Sequence, residues 1–327
     1  MKAIVCERYG VEALELREVE VPALEDEQVL VRVHASSANP VEWYGVSGPL
    51  FVRLLGRALR KPRDTSLGAD LAGRVEAVGR DVRELQAGDE VFGTSGASWA
   101  EYAAAREARL ARKPATVSFE DAAAAPIAAI TALQALRDHG HLQPGQKVLI
   151  NGASGGVGTY AVQLAKVLGA DVTAVCSTGK VDLARSLGAD RVVDYTEEDF
   201  TGLGERFDLM LDIAGSRPFR ELRRVLTPAA TVVIVGARFP SPNGLGPLSH
   251  VIRTRLAAMG RSQTVKFFIA KVNSEDLDYL GELLEAGQLR SVIDRRFELS
   301  EAADALRYLG QGHARGKVIL TVSATSA

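Results

Sequence analysis

The sequence predicts an α/β protein in two parts, one rich in β-strand and one a doubly wound parallel sheet. Three observations carry that prediction. Residues 1–120 alternate apolar and polar side chains with glycine punctuation, the period of half-buried strands. From about residue 120 short apolar strands alternate with helical stretches, the signature of a parallel sheet covered on both faces. The tail after about 271 returns to mixed structure, which assigns 1–122 with 272–327 to one discontinuous domain and 123–271 to the other.

In order along the chain, "ALELREVEVP" and "QVLVRVHA" are strands, continued by "AGRVEAVG" and "DEVFG". "SFEDAAAAPIAAITALQALRDHG" reads as a helix with Ser118 as N-cap and Gly140 as stop. "QKVLIN" is a short buried strand, and a helix, a strand and another helix follow it. Later strands are "DLMLDIA" (208–214), "TVVIVGA" (231–237) and "TVKFFIA" (264–270). The return segment reads as helix "SEDLDYLGELLEAG", strand "VIDRRFEL", helix "SEAADALRYLGQG" and strand "KVILTV".

Composition narrows the function. With 327 residues, 46% hydrophobic and 24% charged, the chain has the make-up of a globular protein large enough for two cores. A net charge of −2 gives no footprint for nucleic acid or acidic membranes. Two cysteines, Cys6 and Cys176, exclude a disulfide framework and a cysteine-rich zinc site. Glu7 and Arg8 interrupt the N-terminal apolar run too early for a signal peptide, and the longest apolar run, Ala122–Leu133, is too short to span a bilayer and contains Pro126. The expectation is a cytoplasmic protein with no integral membrane segment.

"NGASGGVGTYAVQLAKVLGADVTAVCST" (151–178) is the most specific stretch. A strand at Val148–Ile150 leads through Gly152–Gly156 into a helix whose apolar residues, Val157, Ala161, Leu164, Ala165 and Leu168, share one face. The first-turn N–H groups of such a helix and its dipole favour a pyrophosphate. Gly155 and Gly156 let that group touch the backbone, and Gly158 lets helix pack on strand. Ala153 stands where the first glycine of the usual G-x-G-x-x-G falls, but the strand–turn–helix setting makes this a Rossmann dinucleotide loop. The next strand, "DVTAVC", ends without the acid that would bind both adenosine ribose hydroxyls. Ser177, Thr178 and Lys180 follow, two hydroxyls and an ammonium suited to a 2′-phosphate, so NADPH is expected over NADH. Alternatively, Ser177 and Thr178 cap the next helix and Lys180 is solvated.

Together, "SSANPVEWYGVSG" (36–48), "LGADLAGRVEAVG" (67–79), "AGDEVFG" (87–93), "AAAAPIAAITALQAL" (122–136), "NGASGGVG" (151–158), "SLGADRVVDYT" (186–196) and "ARGKVIL" (314–320) make the chain resemble the zinc-independent quinone oxidoreductase branch of the medium-chain dehydrogenase/reductase superfamily, the zinc-type alcohol dehydrogenase-like proteins. The resemblance covers nearly the whole chain. It implies a GroES-like β-rich catalytic domain plus a Rossmann domain, NADPH-dependent reduction of quinones or α,β-unsaturated carbonyls, and a homodimer. Relatives with zinc have a cysteine where this chain has Asn39 and a His-Glu pair where it has Ala69-Asp70, so no metal is expected. Without a metal to polarise an isolated carbonyl, a conjugated acceptor that spreads the incoming charge is the fitting substrate.

The resemblance also implies site residues. Asn39 and Tyr44 match polar positions facing nicotinamide and substrate. Tyr44 is a proton or hydrogen-bond donor, or else a packing aromatic with its hydroxyl in water. Gly155, Gly156 and Val157 meet the pyrophosphate, with Ser154 beside them as a further cofactor contact, Ser177 and Lys180 the 2′-phosphate, and Tyr195 the adenosine side. Ala214 and Gly236 lie along ribose and nicotinamide, with Thr131 and Lys317 as further cofactor contacts. Many relatives have a second tyrosine where this chain offers Pro49, Leu50 and Phe51. Glu42 and Asp70 read as structural, hydrogen-bonded carboxylates.

Two segments stand apart. "PLFVRLLGRALRKPRD" (49–64) is basic and amphipathic: a lid, a basic surface for anionic ligands, or a solvated face. "FPSPNGLGPLSHVIRTRLAAMG" (239–260) is turn-rich and then helical. Two other functions share the same loop: reduction of an enoyl thioester, and a non-catalytic NADPH-binding sensor or scaffold.

Overall fold

A computed structural model describes residues 1–49, 52–53, 61–62, 65–236 and 246–322. The chain divides into two units, Met1–Ile130 with Lys271–Ala327, and Thr131–Ala270. The first unit opens with a hairpin, β1 (Lys2–Cys6) and β2 (Leu14–Glu18), followed by β3 (Gln28–Ala38) and helix α1 (Pro40–Ser47). Strands β4 (Asp70–Val78), β5 (Glu90–Thr94), β6 (Tyr102–Arg106) and β7 (Leu110–Arg112) come next, then α2 (Phe119–Ala124) and α3 (Pro126–Gln134).

The continuous helix expected over 118–140 is instead broken. Ser118 does cap α2, its hydroxyl accepting the Asp121 N–H at 3.0 Å. Pro126 has no N–H to continue the ladder, so α2 ends before it, and α3 passes into a wider turn over Ala135–His139. Because α2 packs on β3, β4 and β15, residues 119–130 group with the β-rich unit.

The second unit carries β8 (Lys147–Asn151), α4 (Gly156–Val167), β9 (Asp171–Cys176), α5 (Val181–Ser186), β10 (Arg191–Asp194), β11 (Phe207–Asp212), α6 (Phe219–Leu222), β12 (Leu226–Ile234), α7 (Gly246–Ala258) and β13 (Thr264–Phe267). Its six strands run parallel in the order β10-β9-β8-β11-β12-β13, the doubly wound arrangement with its topological switch between β8 and β11. Val148, Leu149, Ile150, Leu209, Met210 and Leu211 are fully buried because helices cover both faces of these central strands.

The chain returns to the first unit with α8 (Ser274–Glu285), β14 (Ile293–Glu298), α9 (Ala302–Gly310) and β15 (Lys317–Thr321). There β15 enters the seven-stranded sheet between β14 and β3. Val318 lies opposite Ala38, and Leu71 opposite Ser36, so the ends of three strands remote in sequence meet at the end of β3. No helix among the described residues is long and apolar enough to cross a membrane.

Candidate active site

The register of β3, β4 and β15 assembles a buried polar cluster. Antiparallel pairing sets Lys317 beside Asn39 and Asp70 beside Ser37. Lys317 Nζ donates to Asn39 Oδ1 at 2.5 Å and to Asp70 Oδ2 at 3.2 Å. Asn39 Nδ2 donates to Asp70 Oδ2 at 3.0 Å, and the Ser37 hydroxyl donates to the same oxygen at 2.5 Å. The other carboxylate oxygen, Asp70 Oδ1, accepts the Ile127 N–H at 2.9 Å. Asp70 is 0% and Lys317 3% exposed, so this ion pair lies in a low-dielectric setting where paired charges hold firmly and unpaired ones are costly. Of the three ammonium donors on Lys317, two are engaged with Asn39 and Asp70.

Asn39 also stands at the N-terminus of α1, with Pro40 at the first helical position, where a missing N–H costs nothing. Its backbone N–H donates to Glu42 Oε2 at 2.8 Å. Glu42 is buried, and its second oxygen, Oε1, meets no donor among the described residues. Burial, then repulsion from Asp70, pushes the Glu42 carboxyl up to about 7, against the pull of backbone N–H groups and of Lys317. Tyr44 lies one turn on, half-buried and edge-on to Trp43, and burial raises its phenol above the ordinary range.

The second unit carries the glycine turn expected from the sequence to hold a dinucleotide. Gly152 has φ +94°, the left-handed region that favours glycine, at the turn leaving β8. A Cβ on Gly158 would sit 2.1 Å from the Gly152 carbonyl oxygen, so α4 packs as closely as a glycine permits. Gly155 differs. Its backbone is extended, and a Cβ there would meet only the Gly152 oxygen, at 3.8 Å. Neither strain nor packing within the chain requires glycine at 155, which fits a position kept bare for a ligand at the N-terminus of α4. Ser154 is buried beside it and Val157 opens the helix, with the Gly156 and Val157 N–H groups in the first turn, where intrahelical partners are missing.

At the tip of β9, Ser177 precedes and Lys180 ends a short helical turn over Thr178–Lys180. The Thr178 and Thr196 hydroxyls are 2.8 Å apart, and Thr196 Oγ1 donates to Asp194 Oδ1 at 2.7 Å. Hydrogen bonds from Thr178 and Thr196 hold Asp194 below the usual carboxylate range. The acid absent from β9 therefore has a neighbour at the tip of β10, already satisfied by hydroxyls. Tyr195 beside it is 56% exposed. Ala214 and Gly236 follow β11 and β12. The Ala214 N–H donates to the Asn151 carbonyl, and a Cβ on Gly236 would lie 2.5 Å from the Ile213 oxygen. Thr131 is half-buried on α3. Of the sequence-derived candidates, Lys317 is the one that the structure sets beside Asn39.

One constellation escaped the sequence reading. At the switch point Asn151 Nδ2 donates to Asp212 Oδ1 at 2.8 Å, and His250 Nε2 lies 2.8 Å from Asp212 Oδ2. An acid closing the apolar run "LML" of this strand was the available signal; His250 arrives from α7, 38 residues later. The remaining histidines do other work. His34 stacks on Phe119 and His139 on Phe268, at 4.3 and 4.1 Å between centroids, while His141 Nε2 faces Lys266 Nζ. No three His, Cys, Asp or Glu side chains among the described residues are grouped to hold a metal. Cys176 is buried, and its thiol is pushed up to about 11. Leu50, Phe51, Arg57, Arg60, Arg63 and residues 239–245 lie outside the described residues. Of the basic segment, Arg53 lies over the Tyr9 ring at 4.4 Å.

Residues 25–115 match the alcohol dehydrogenase GroES-like domain, and residues 187–320 match the zinc-binding dehydrogenase family. The 2-methylene-furan-3-one reductase of Solanum lycopersicum is 36% identical over 98% of this chain and 79% of its own length. The chloroplast envelope quinone oxidoreductase homolog of Arabidopsis thaliana is 33% identical, over 95% and 94%. The solved quinone oxidoreductase of Coxiella burnetii superposes with a TM-score of 0.86 at 31% identity, covering 99% of both chains. The chain belongs to the medium-chain dehydrogenase/reductase superfamily, in its quinone oxidoreductase branch. It is an oxidoreductase of a family that works with a nicotinamide cofactor.

Proposed function

We propose that this protein is a zinc-independent reductase of quinones or α,β-unsaturated carbonyls that draws on NADPH. The observation that carries the reading is the Lys317 ammonium held between Asn39 and Asp70. The positive charge beside Asp70 is supplied by the chain itself, and a divalent cation on the same carboxylate would face an ammonium 3.2 Å away. The relatives named above for quinone and enone-type acceptors support the substrate class.

When bound, the nicotinamide supplies a hydride from its C4. The residues of this chain do the rest. The bare backbone at Gly155 and the first turn of α4 receive the pyrophosphate. Ser177 and Lys180 meet the 2′-phosphate, since β9 itself ends without a carboxylate and the Asp194 carboxylate on β10 is taken up by Thr178 and Thr196. Tyr195, Ala214, Gly236 and Thr131 flank the remainder of the cofactor. The third donor of Lys317, with Asn39 holding its ammonium in place, stabilises the charge that grows on the acceptor oxygen. Tyr44 keeps its proton at Oη near neutral pH, raised further by burial, and donates it.

We further read the protein as a cytoplasmic homodimer. β13 is the outer strand of its sheet, and Ile252, Leu256, Met259 and Ile269 leave apolar surface exposed nearby, which supports pairing with a second copy.

The test is oxidation of NADPH and of NADH followed at 340 nm with an ortho-quinone and with an enone, in the presence and absence of excess chelator. Faster loss of NADPH, indifferent to chelator, is the expected result. Loss of turnover in chelator overturns the zinc-independent reading. Tight NADPH binding with no turnover favours a sensor, and faster reduction of an enoyl thioester moves the substrate class there.

A further inference from the structure

Among the described residues, the buried cluster of the first unit holds one cation, Lys317, and two carboxyl groups, Asp70 and Glu42. Asp70 takes the cation, accepting from Lys317 as well as from Ser37, Asn39 and Ile127. Glu42 accepts the Asn39 N–H on Oε2, while Oε1 meets no donor among the described residues, though Glu42 is only 5% exposed. A carboxylate there would be a second negative charge out of water with no cation left to match it. From the geometry we infer that Glu42 enters the reaction as a neutral acid, and that its ionisation turns the reaction off by placing a buried negative charge beside the donors for the acceptor oxygen. The inference rests on the reading of the Asn39–Lys317 cluster as the place where that oxygen is held.

The charged groups acting on Glu42 are few. Asp70 from β4 repels its anion and Lys317 from β15 attracts it. The turn Val11–Ala13 and α9 also pack on α1, but their charges, Glu12, Asp304 and Arg307, bind one another at the surface, with Arg307 2.5 Å from each acid, and α9 presents Gly310 to Trp43. Burial and Asp70 together outweigh Lys317, and the carboxyl lies up at about 7. The neutral form keeps the cluster balanced, one ammonium against one carboxylate. Loss of the Oε1 proton to solvent leaves the cluster with an excess negative charge. An acceptor oxygen that becomes an oxyanion as it is reduced is then repelled instead of stabilised. Asn39 is the physical link: its backbone N–H is on Glu42 and its side chain is on Lys317 and Asp70.

The experiment compares the wild type with Glu42→Gln, which keeps an oxygen for the Asn39 N–H and carries no titrating proton. Turnover of an ortho-quinone with NADPH is measured from about pH 6 to about pH 8.5. The wild type is expected to lose about tenfold in kcat for each pH unit above the Glu42 midpoint. In the variant the two ends of the range agree within about twofold. A variant that keeps the wild-type slope overturns the inference. Difference infrared spectroscopy of the protein without cofactor gives a second reading: a protonated carboxyl band that fades through neutral pH, is missing in Glu42→Gln, and persists to higher pH in Lys317→Met. Turnover without such a band overturns this inference alone. The band without turnover of any quinone or enone overturns the reaction reading, and the switch with it.

Discussion

Lys317 Nζ and Asn39 Oδ1 lie 2.5 Å apart across 278 residues of sequence, joined because β15 returns to pair with β3. This contact closes the discontinuous first unit and supplies the one cation of its buried cluster. Replacing Lys317 by Met keeps the length of the side chain and removes the charge. Asp70 is then a buried carboxylate without a cation, so unfolding by urea should show a loss of about 3–5 kcal/mol. Turnover should fall by about 100-fold or more while NADPH affinity, measured by fluorescence, changes little. A large loss of NADPH affinity with little loss of turnover would return Lys317 to the cofactor.

Gly155 and Gly158 separate ligand space from packing. Gly158→Ala drives a Cβ to 2.1 Å from the Gly152 oxygen and is expected to cost stability outright, visible as a drop in Tm. Gly155→Ala meets no such contact, so its Tm should stay near that of the wild type while the Kd for NADPH rises by about tenfold or more. Equal effects of both changes on Tm would mean that Gly155 is structural.

Lys180 tests cofactor choice. If Lys180 meets the 2′-phosphate as proposed, Lys180→Ala should lower kcat/KM for NADPH by about tenfold and leave NADH, which has no such phosphate, within about twofold. Parallel losses with both cofactors would place Lys180 elsewhere.

Stability should also depend on pH through Glu42. Its folded carboxyl lies up at about 7, above that of the unfolded chain, so between the two values the folded state holds the extra proton. The contribution is fully present below the unfolded value and is lost as pH rises through about 7. Denaturant titrations should therefore show wild-type stability falling by about 3 kcal/mol between mildly acid and neutral pH, a slope absent in Glu42→Gln. A wild type that is flat across that range would show Glu42 ionised at both ends.

The strand–glycine turn–helix unit was legible because its parts are local. A strand, a glycine turn and an amphipathic helix follow one another within 28 residues, and the missing acid after "DVTAVC" is read at a single position. The alternation of "QVLVRVHA" and the parallel-sheet rhythm after residue 120 are periodic signals of the same kind. The long helix failed at Pro126, where a missing N–H outweighed the helical pattern around it.

The sequence by itself determined the fold class and the strand–glycine turn–helix unit of β8 and α4, since local periodicity and turn chemistry dictate both. Tertiary structure alone decided the company of Asn39, Glu42, Asp70 and Lys317, and of Asp212 and His250. Those groupings depend on strand register and on a chain that leaves one unit and returns 140 residues later. Burial then set their charges. The same carboxyl group is a matched partner at Asp70, with four donors around it, and an isolated acid at Glu42, because only one ammonium enters the cluster.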